Sequence, residues 1–156
     1  MEITSTVTWT GETSANGAYS RRHHWQFDGG AEIAASSAPG IVPLPWSDPA
    51  CIDPEEAVLA ALSSCHMLFF LHLACDAGFT VHHYADTACA RLVRDRDGRL
   101  SIGEITLSPT VRMAEPPGED VLARLHDEAH ARCFIAASLK APVTICPAPA
   151  TGGLTL

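Results

Sequence analysis

A cysteine and a histidine, Cys65 and His66, stand side by side in the middle of the most apolar segment of the chain, Glu55 to Gly78. A thiol attacks as a nucleophile only when it is deprotonated, whereas apolar surroundings favour its neutral form. A reactive Cys65 would therefore need a nearby cation, and an arginine suits because its guanidinium stays charged and donates several hydrogen bonds. An arginine in an apolar pocket needs a carboxylate partner in turn. A thiol site here requires three groups: a cysteine, an arginine and a carboxylate.

The apolar segment is itself predicted to be one long helix. Asp53 suits the N-cap position, Pro54 the first helical position, and Glu56 the position that completes a capping box. Gly78 suits the residue that follows a helix end. The helix would have about 24 residues and a length of roughly 36 Å. Cys65 would lie near its middle.

The composition of this helix indicates whether lipid or protein surrounds it. Residues 57–75 carry no charge and are long enough to cross a bilayer. Four polar residues interrupt the stretch and its flanks are acidic, which argues against a membrane span: Ser63, Ser64, His66 and His72. A helix that is apolar all round is buried on all sides. Because a chain of 156 residues can hardly surround it alone, we predict that a second copy covers it in a homodimer.

Strand patterns lie on both sides of the helix. Before it, residues 3–9 and two stretches joined at Gly29–Gly30 favour three strands. After it, residues 79–95 and 99–115 flank an Arg-Asp-Gly turn signal and favour a hairpin. The second stretch of that hairpin alternates apolar and polar residues, so one face of the sheet is predicted to be buried.

The rest of the chain supplies a loop, a second helix and a last strand. Residues 38–51 contain four prolines and predict a long loop, with Trp46 turned inwards. Apolar residues at helical spacing predict a second helix that reaches Cys133 near its end: Val121, Leu122, Leu125 and Ala129. Residues 141–148 favour a short strand. The order β-β-β-α-β-β-α-β indicates the α+β class, in a single domain over residues 1–156.

Composition and charge exclude several classes of protein. Hydrophobic residues make up 47% of the chain and the net charge is −8, which is typical of a globular protein and argues against a nucleic-acid partner. The N-terminus has no basic or apolar region of a signal peptide, so we expect a cytoplasmic protein with reduced thiols. The six cysteines form no Cys-x-x-Cys pair, which excludes zinc-ribbon and thioredoxin motifs.

Three segments resemble the signature segments of the OsmC/Ohr family of thiol peroxidases, which act in osmotic stress and organic hydroperoxide resistance. They are "YSRRHHW" from Tyr19, "DPEEAVLAALSSCHM" from Asp53, and "AHARCFIAASL" from Ala129. The likeness extends from about Tyr19 to Val143 and is closer to the broad OsmC-like branch than to the Ohr proteins proper. It implies an α+β fold in which long buried central helices pack against antiparallel sheets in an intertwined dimer.

The resemblance also implies roles for particular residues. Cys65 matches the peroxidatic cysteine and Cys133 the resolving cysteine. Glu55 matches a carboxylate that steers a catalytic arginine, for which Arg21 is the candidate and Arg22 the alternative. Attack on a peroxide would leave a sulfenic acid on Cys65, which condenses with a second thiol to a disulfide. The family is regenerated by dithiols such as dihydrolipoyl groups, and no cofactor or metal is expected.

Aromatic residues favour an organic substrate, and two other functions remain open. Burial against Phe69, Phe70 and Trp46 would favour an organic hydroperoxide over hydrogen peroxide. A metal site is one alternative, because three potential ligands share one helical face: His126, His130 and Cys133. An OsmC-like protein that binds a small ligand without peroxidase activity is the other. His66 is expected to be a core or interface residue, and four cysteines are expected to be structural: Cys51, Cys75, Cys89 and Cys146.

Overall fold

The first three strands form one antiparallel sheet in the N-terminal part of the chain. The structure, a computed structural model, describes residues 2–153, and its internal contacts divide the chain into two compact units, Met1–Ala57 and Val58–Leu156. In the first unit the strands are β1 (Ser5–Thr8), β2 (His23–Phe27) and β3 (Glu32–Ala35), in the order β1-β2-β3. This confirms the three strands expected before the long helix.

The proline-rich stretch of the first unit is irregular, as its composition indicates. Within residues 38–51 no helix or strand forms. The backbone N–H of Arg21 donates to the carbonyl oxygen of Trp46 at 2.8 Å, which ties this loop to the start of β2. Trp46 itself is half-buried. The loop is therefore held in place by backbone hydrogen bonds rather than by regular structure.

The long helix, α1, covers Pro54–Asp76 and has the ends that the sequence predicts. The Asp53 carboxylate accepts from the Glu56 N–H at 2.8 Å, and the Glu56 carboxylate accepts from the Asp53 N–H at 3.1 Å, so the capping box is formed. Gly78 has a φ of +83°, which glycine adopts without the steric cost that a Cβ would bring. Loss of such an N-cap costs about 1 kcal/mol.

One stripe of α1 is buried and the rest is not. Its buried residues recur once per turn: Leu62, His66, Phe70 and Ala74. Leu68, on another side, is 60% exposed. By length and hydropathy α1 could also cross a membrane, a criterion that core helices of globular proteins meet as well. Burial of only one stripe leaves much of an apolar helix uncovered in the single chain.

The predicted hairpin forms, but each of its arms is broken into two strands. The strands are β4 (Val81–Asp86), β5 (Cys89–Arg94), β6 (Leu100–Leu107) and β7 (Pro109–Met113). β4 pairs with β7 and β5 with β6, and the pairs Asp86↔Pro109 and Cys89↔Thr106 keep one register across the break. The Asp86 carboxylate accepts from the Ser108 N–H at 2.6 Å, in place of a strand partner. The sequence predicted the hairpin and its buried face, but neither the break in its arms nor this side-chain bond.

The C-terminal elements complete two three-stranded sheets. α2 (Glu119–Arg132) is followed by the short helix α3 (Phe134–Ser138), then by β8 (Val143–Ile145) and β9 (Thr151–Gly152). β8 runs parallel to β6 and β9 parallel to β7, so the sheets are mixed rather than antiparallel as expected. α3 and β9 were not predicted because both are too short to show a period. The α+β class is confirmed.

Two apolar cores stabilise the second unit. The first joins α1 and α2 to the sheet of β4 and β7, with Phe70 and Ala74 against Leu122, Leu125 and Ala129. The second is built around four residues: Leu62, Ile105, Leu107 and Cys133. Because Cys133 is itself part of a core, its side chain is positioned by packing as well as by the chain.

Candidate thiol site

The structure brings together the two cysteines that the resemblance pairs. Cys65 is half-buried near the middle of α1, and Cys133 is fully buried at the junction of α2 and α3. Cys65 packs against the apolar core that contains Cys133, and it is close enough to contribute to the raised pKa of Cys133. The Cys133 sulfur also accepts from the Ala136 N–H at 3.4 Å. The two thiols therefore meet although they come from separate helical segments.

The two thiols differ in their surroundings. Burial raises the pKa of Cys133 to about 11, against a partial lowering by the Ala136 N–H and a further increase from the hydrogen bond with Cys65. Cys133 is therefore a neutral thiol at pH 7. Cys65, in contrast, lines an open cavity. A molecule that enters from solvent meets Cys65 first.

The cavity at Cys65 is apolar and has a volume of about 440 Å³. Its lining comes from α1 and α3: Ala61, Ser64, Cys65, Leu68, Phe69, His72, Phe134 and Ile135. Phe69 and Phe134 meet edge to face, with ring centroids 5.2 Å apart. Such a wall suits an alkyl or aryl group next to the thiol.

Of the three aromatic residues predicted to line this pocket, Phe69 does so and the other two do not. Phe70 is fully buried and stacks on His126, with ring centroids 4.3 Å apart. Neighbouring residues on a helix point about 100° apart, so Phe70 faces the core while Phe69 faces the cavity. Trp46 belongs to the first unit and does not line this cavity.

A second cavity, of about 490 Å³, lies in the first unit and contains the predicted arginine and carboxylate. Arg21 and Glu55 both line it, although no ion pair joins them among the described residues. The Arg21 guanidinium lies 3.5 Å from the centroid of the Tyr19 ring, and its Nη1 donates to the Gly17 carbonyl at 2.7 Å. These contacts hold the guanidinium in one place.

Arg22, the alternative arginine, has a different partner. Its Nη1 donates to the Asp48 carboxylate at 2.8 Å, and its side chain is 56% exposed. The Ala50 N–H and, to a smaller extent, Arg22 lower the pKa of Asp48. Arg22 therefore fastens the proline-rich loop to the sheet, whereas Arg21 is the arginine that faces a cavity.

A pair of buried histidines connects α1 with α2. Nε2 of His66 and Nδ1 of His126 are 3.1 Å apart, and the two rings are parallel within 1°. Both side chains are buried, and Phe70 stacks on the ring of His126. The sequence placed His66 in a core or interface, which the structure matches. The sequence offered His126 only as a ligand of the alternative metal site, because nothing local in the sequence shows which helices face each other.

The metal site offered as an alternative does not form among the described residues. Within residues 2–153 no group of three or more histidine, cysteine, aspartate or glutamate side chains could hold a metal ion. Helical spacing placed His126, His130 and Cys133 on one face, but α2 ends at Arg132 and Cys133 is extended (φ −69°, ψ 111°). Cys133 therefore leaves the helical face and turns towards Cys65.

The four remaining cysteines are not the buried structural residues that were expected. Cys75, Cys89 and Cys146 are exposed, and Cys51 is half-buried. Burial, followed by the neighbouring Asp48 carboxylate, raises the pKa of Cys51. No disulfide joins any of the cysteines, all six of which lie in the described part of the chain.

One cysteine in a central helix and a second directly after the following helix define this chain as an α+β protein with two neighbouring thiols. The family model for OsmC-like proteins matches residues 47–146, which is more than half of the chain. The chain therefore belongs to the OsmC-like family, and the resemblance seen in its sequence is confirmed. No curated protein matches it in sequence.

Solved structures agree with this assignment. An OsmC-like protein of unknown function from Vibrio cholerae is 39% identical, with a TM-score of 0.87 over 95% of this chain and 99% of that one. The fold also matches an organic hydroperoxide resistance protein from Elizabethkingia anophelis (16% identity, TM-score 0.70, 98% and 97% covered). Another such protein, from Bacillus subtilis, has 20% identity and a TM-score of 0.63, with 93% and 98% covered.

The buried histidine pair predicts a loss of stability in mild acid. Burial lowers the pKa of His66 and of His126 to about 4, with His130 lowering and Asp86 raising that of His66. Between pH 6.5 and 4 the unfolded chain therefore binds more protons than the folded chain. The contribution of the neutral pair to the free energy of unfolding is fully present above pH 6.5 and decreases as the pH falls towards 4. We expect the free energy of unfolding to drop by roughly 2–4 kcal/mol between pH 7 and pH 4.5.

Urea denaturation over this pH range measures the effect. The variant His126→Leu should show a weaker pH dependence, because one of the two suppressed titrations is gone. His24→Leu, at an exposed position of β2, is the control and should keep the full dependence. If the free energy of unfolding of the wild type stays level from pH 7 to pH 4.5, the prediction that both buried histidines are neutral in the folded protein is wrong.

Proposed function

We propose that this protein is a thiol peroxidase that reduces organic hydroperoxides at Cys65. The observation that carries the proposal is the contact between two unlike thiols, one lining an apolar cavity and one buried behind it. A substrate from solvent reaches Cys65, whereas Cys133 can react only with a group already formed on Cys65. This asymmetry is what a peroxidatic and a resolving cysteine require.

The reaction proceeds in three balanced steps. The Cys65 thiolate attacks the terminal oxygen of the hydroperoxide, the O–O bond breaks, and the other oxygen takes up a proton and leaves as the alcohol. Cys65 is then a sulfenic acid, which condenses with the Cys133 thiol to a disulfide and releases water. A dithiol such as a dihydrolipoyl group reduces that disulfide by two thiol–disulfide exchanges. The apolar cavity would hold the organic part of the hydroperoxide.

Arg21 and Glu55 are proposed to supply the charges that this chemistry needs. A guanidinium stabilises both the thiolate and the negative charge that develops on the leaving oxygen. Arg21 is already held against Tyr19 and faces a cavity that Glu55 also lines. Arg22 is engaged with Asp48, which supports the choice of Arg21.

The exposed apolar side of α1 supports a homodimer as the working form. Leu68 and Phe134 are 60% and 73% exposed, and both line the cavity at Cys65. Exposed apolar residues that lie together are typical of an interface. We propose that a second copy covers them, which would also give the cavity its missing wall.

The peroxidase assay tests the central proposal. Wild-type protein should consume cumene hydroperoxide in the presence of dihydrolipoamide, and Cys65→Ser should fall to the uncatalysed rate because no thiolate remains to attack. Cys75→Ser, at an exposed cysteine of the same helix, is the matched control and should keep full activity. Turnover by Cys65→Ser, or none by the wild type, would overturn the proposal, and the second result would favour a ligand-binding role.

The two arginines can be separated by substitution. Arg21→Ala should slow peroxide reduction by about 10²–10³-fold, since it removes a positioned charge from the transition state. Arg22→Ala should change the rate less, because it breaks a partly exposed ion pair with Asp48. Stopped-flow measurement of the first oxidation step compares them, and a larger effect of Arg22→Ala would transfer the role to Arg22.

The oligomeric state can be measured directly. Wild-type protein should sediment as a dimer, and Leu68→Asp should shift it towards the monomer because a buried charge at the interface is costly. Leu92→Asp is the control, since Leu92 is a similarly apolar residue that is 41% exposed on β5. A monomeric wild type would show that no second copy covers α1.

A further inference from the structure

The reactive geometry of the thiol pair depends on how α1 is placed against α2. Cys65 belongs to α1, while Cys133 follows directly after the last residue of α2. A disulfide needs Cα atoms about 4.4–6.8 Å apart, so a shift of one helix along the other by even a few ångströms separates the thiols. Something must therefore fix the relative position of the two helices.

Apolar packing between the helices does not define a position sharply. Phe70 and Ala74 of α1 meet Leu122, Leu125 and Ala129 of α2. Hydrophobic burial is non-directional, so contacts of this kind tolerate repacking. The hydrogen bond between His66 Nε2 and His126 Nδ1, at 3.1 Å, is directional and holds one atom of each helix opposite the other.

The two histidines of this hydrogen bond lie near the two thiols along the chain. His66 is the residue after Cys65, and His126 lies about two helical turns before Cys133. Both rings are buried and parallel, and Phe70 covers His126. α1 is in turn attached to β4, because the Ser63 hydroxyl donates to the Asp86 carboxylate at 2.5 Å. The bonded pair therefore lies in a closely packed part of the second unit.

We infer that the His66–His126 hydrogen bond is a positioning element that holds Cys65 and Cys133 in disulfide register. This rests on the Cys65–Cys133 disulfide of the proposed function and assigns the two histidines a task in it. Neither histidine touches the substrate. They act through the helices, so their loss should lower the tendency of the two thiols to join while leaving the reactivity of Cys65 towards small reagents.

The test uses a reaction that needs no peroxide. In glutathione redox buffer, both thiols are oxidised to the Cys65–Cys133 disulfide while glutathione disulfide is reduced to two glutathione molecules. Acid quenching and peptide mass mapping give the equilibrium constant for that one bond in the intact protein. A failure of peroxidase activity is thus separate from a failure of this inference.

Substitutions at His126 distinguish positioning from packing. His126→Phe keeps a ring for Phe70 to stack on but loses the nitrogen, and should lower the equilibrium constant at least tenfold, which is about 30 mV. His126→Asn retains an amide near the position of Nδ1 and should stay within about threefold of wild type. If His126→Phe does not fold, His126→Leu replaces it, since leucine is flexible enough to repack.

A control variant on the same helix removes buried contacts without touching the hydrogen bond. Leu122→Ala should lower the melting temperature but leave the equilibrium constant unchanged. The inference is overturned if His126→Phe matches wild type, if Leu122→Ala lowers the constant as much as His126→Phe does, or if wild type forms no Cys65–Cys133 disulfide. The inference is supported if His126→Asn keeps the equilibrium constant of the disulfide near the wild-type value while His126→Phe lowers it.

Discussion

Burial of one stripe of α1 is the interaction on which the rest of the second unit depends. Leu62, His66, Phe70 and Ala74 lie one turn apart, and the two apolar cores of the unit form around them. Because neighbouring residues on a helix point about 100° apart, burying this stripe turns Cys65 towards Cys133 and the cavity. The side of α1 on which Cys65 lies thus follows from which stripe of the helix is buried.

The same packing places the two cysteines in different surroundings. Cys133 is a core residue whose pKa is raised by burial, and it is kept neutral and out of reach of solvent. Cys65 instead lines an apolar cavity. In the proposed reaction, Cys65 would meet the substrate first, and the buried neutral thiol of Cys133 would react only with the group formed on Cys65.

Side-chain hydrogen bonds within the second unit fix the relative positions of helices and strands, which apolar contacts alone leave undefined. Asp86 accepts from Ser63 and from the Ser108 backbone, so it joins α1 to the hairpin at the point where the strands break. His66 and His126 join α1 to α2. A buried hydrogen bond of this kind contributes only about 1 kcal/mol, but an unpaired polar atom in its place costs more, so each bond selects one arrangement.

The sequence alone determined the features that depend on neighbouring residues. The capping box at Asp53, the end of α1 near Gly78 and the hairpin follow from local hydrogen bonds and from periodicity, and the spacing around Cys65 and Cys133 was specific enough to indicate the family. Only the tertiary structure decided which helices meet. It placed Phe70 in the core and His126 against His66, took Cys133 off the helical face, and engaged Arg22 with Asp48. Apart from the local break at Cys133, these contacts join residues far apart in the chain, and no local pattern specifies such partners.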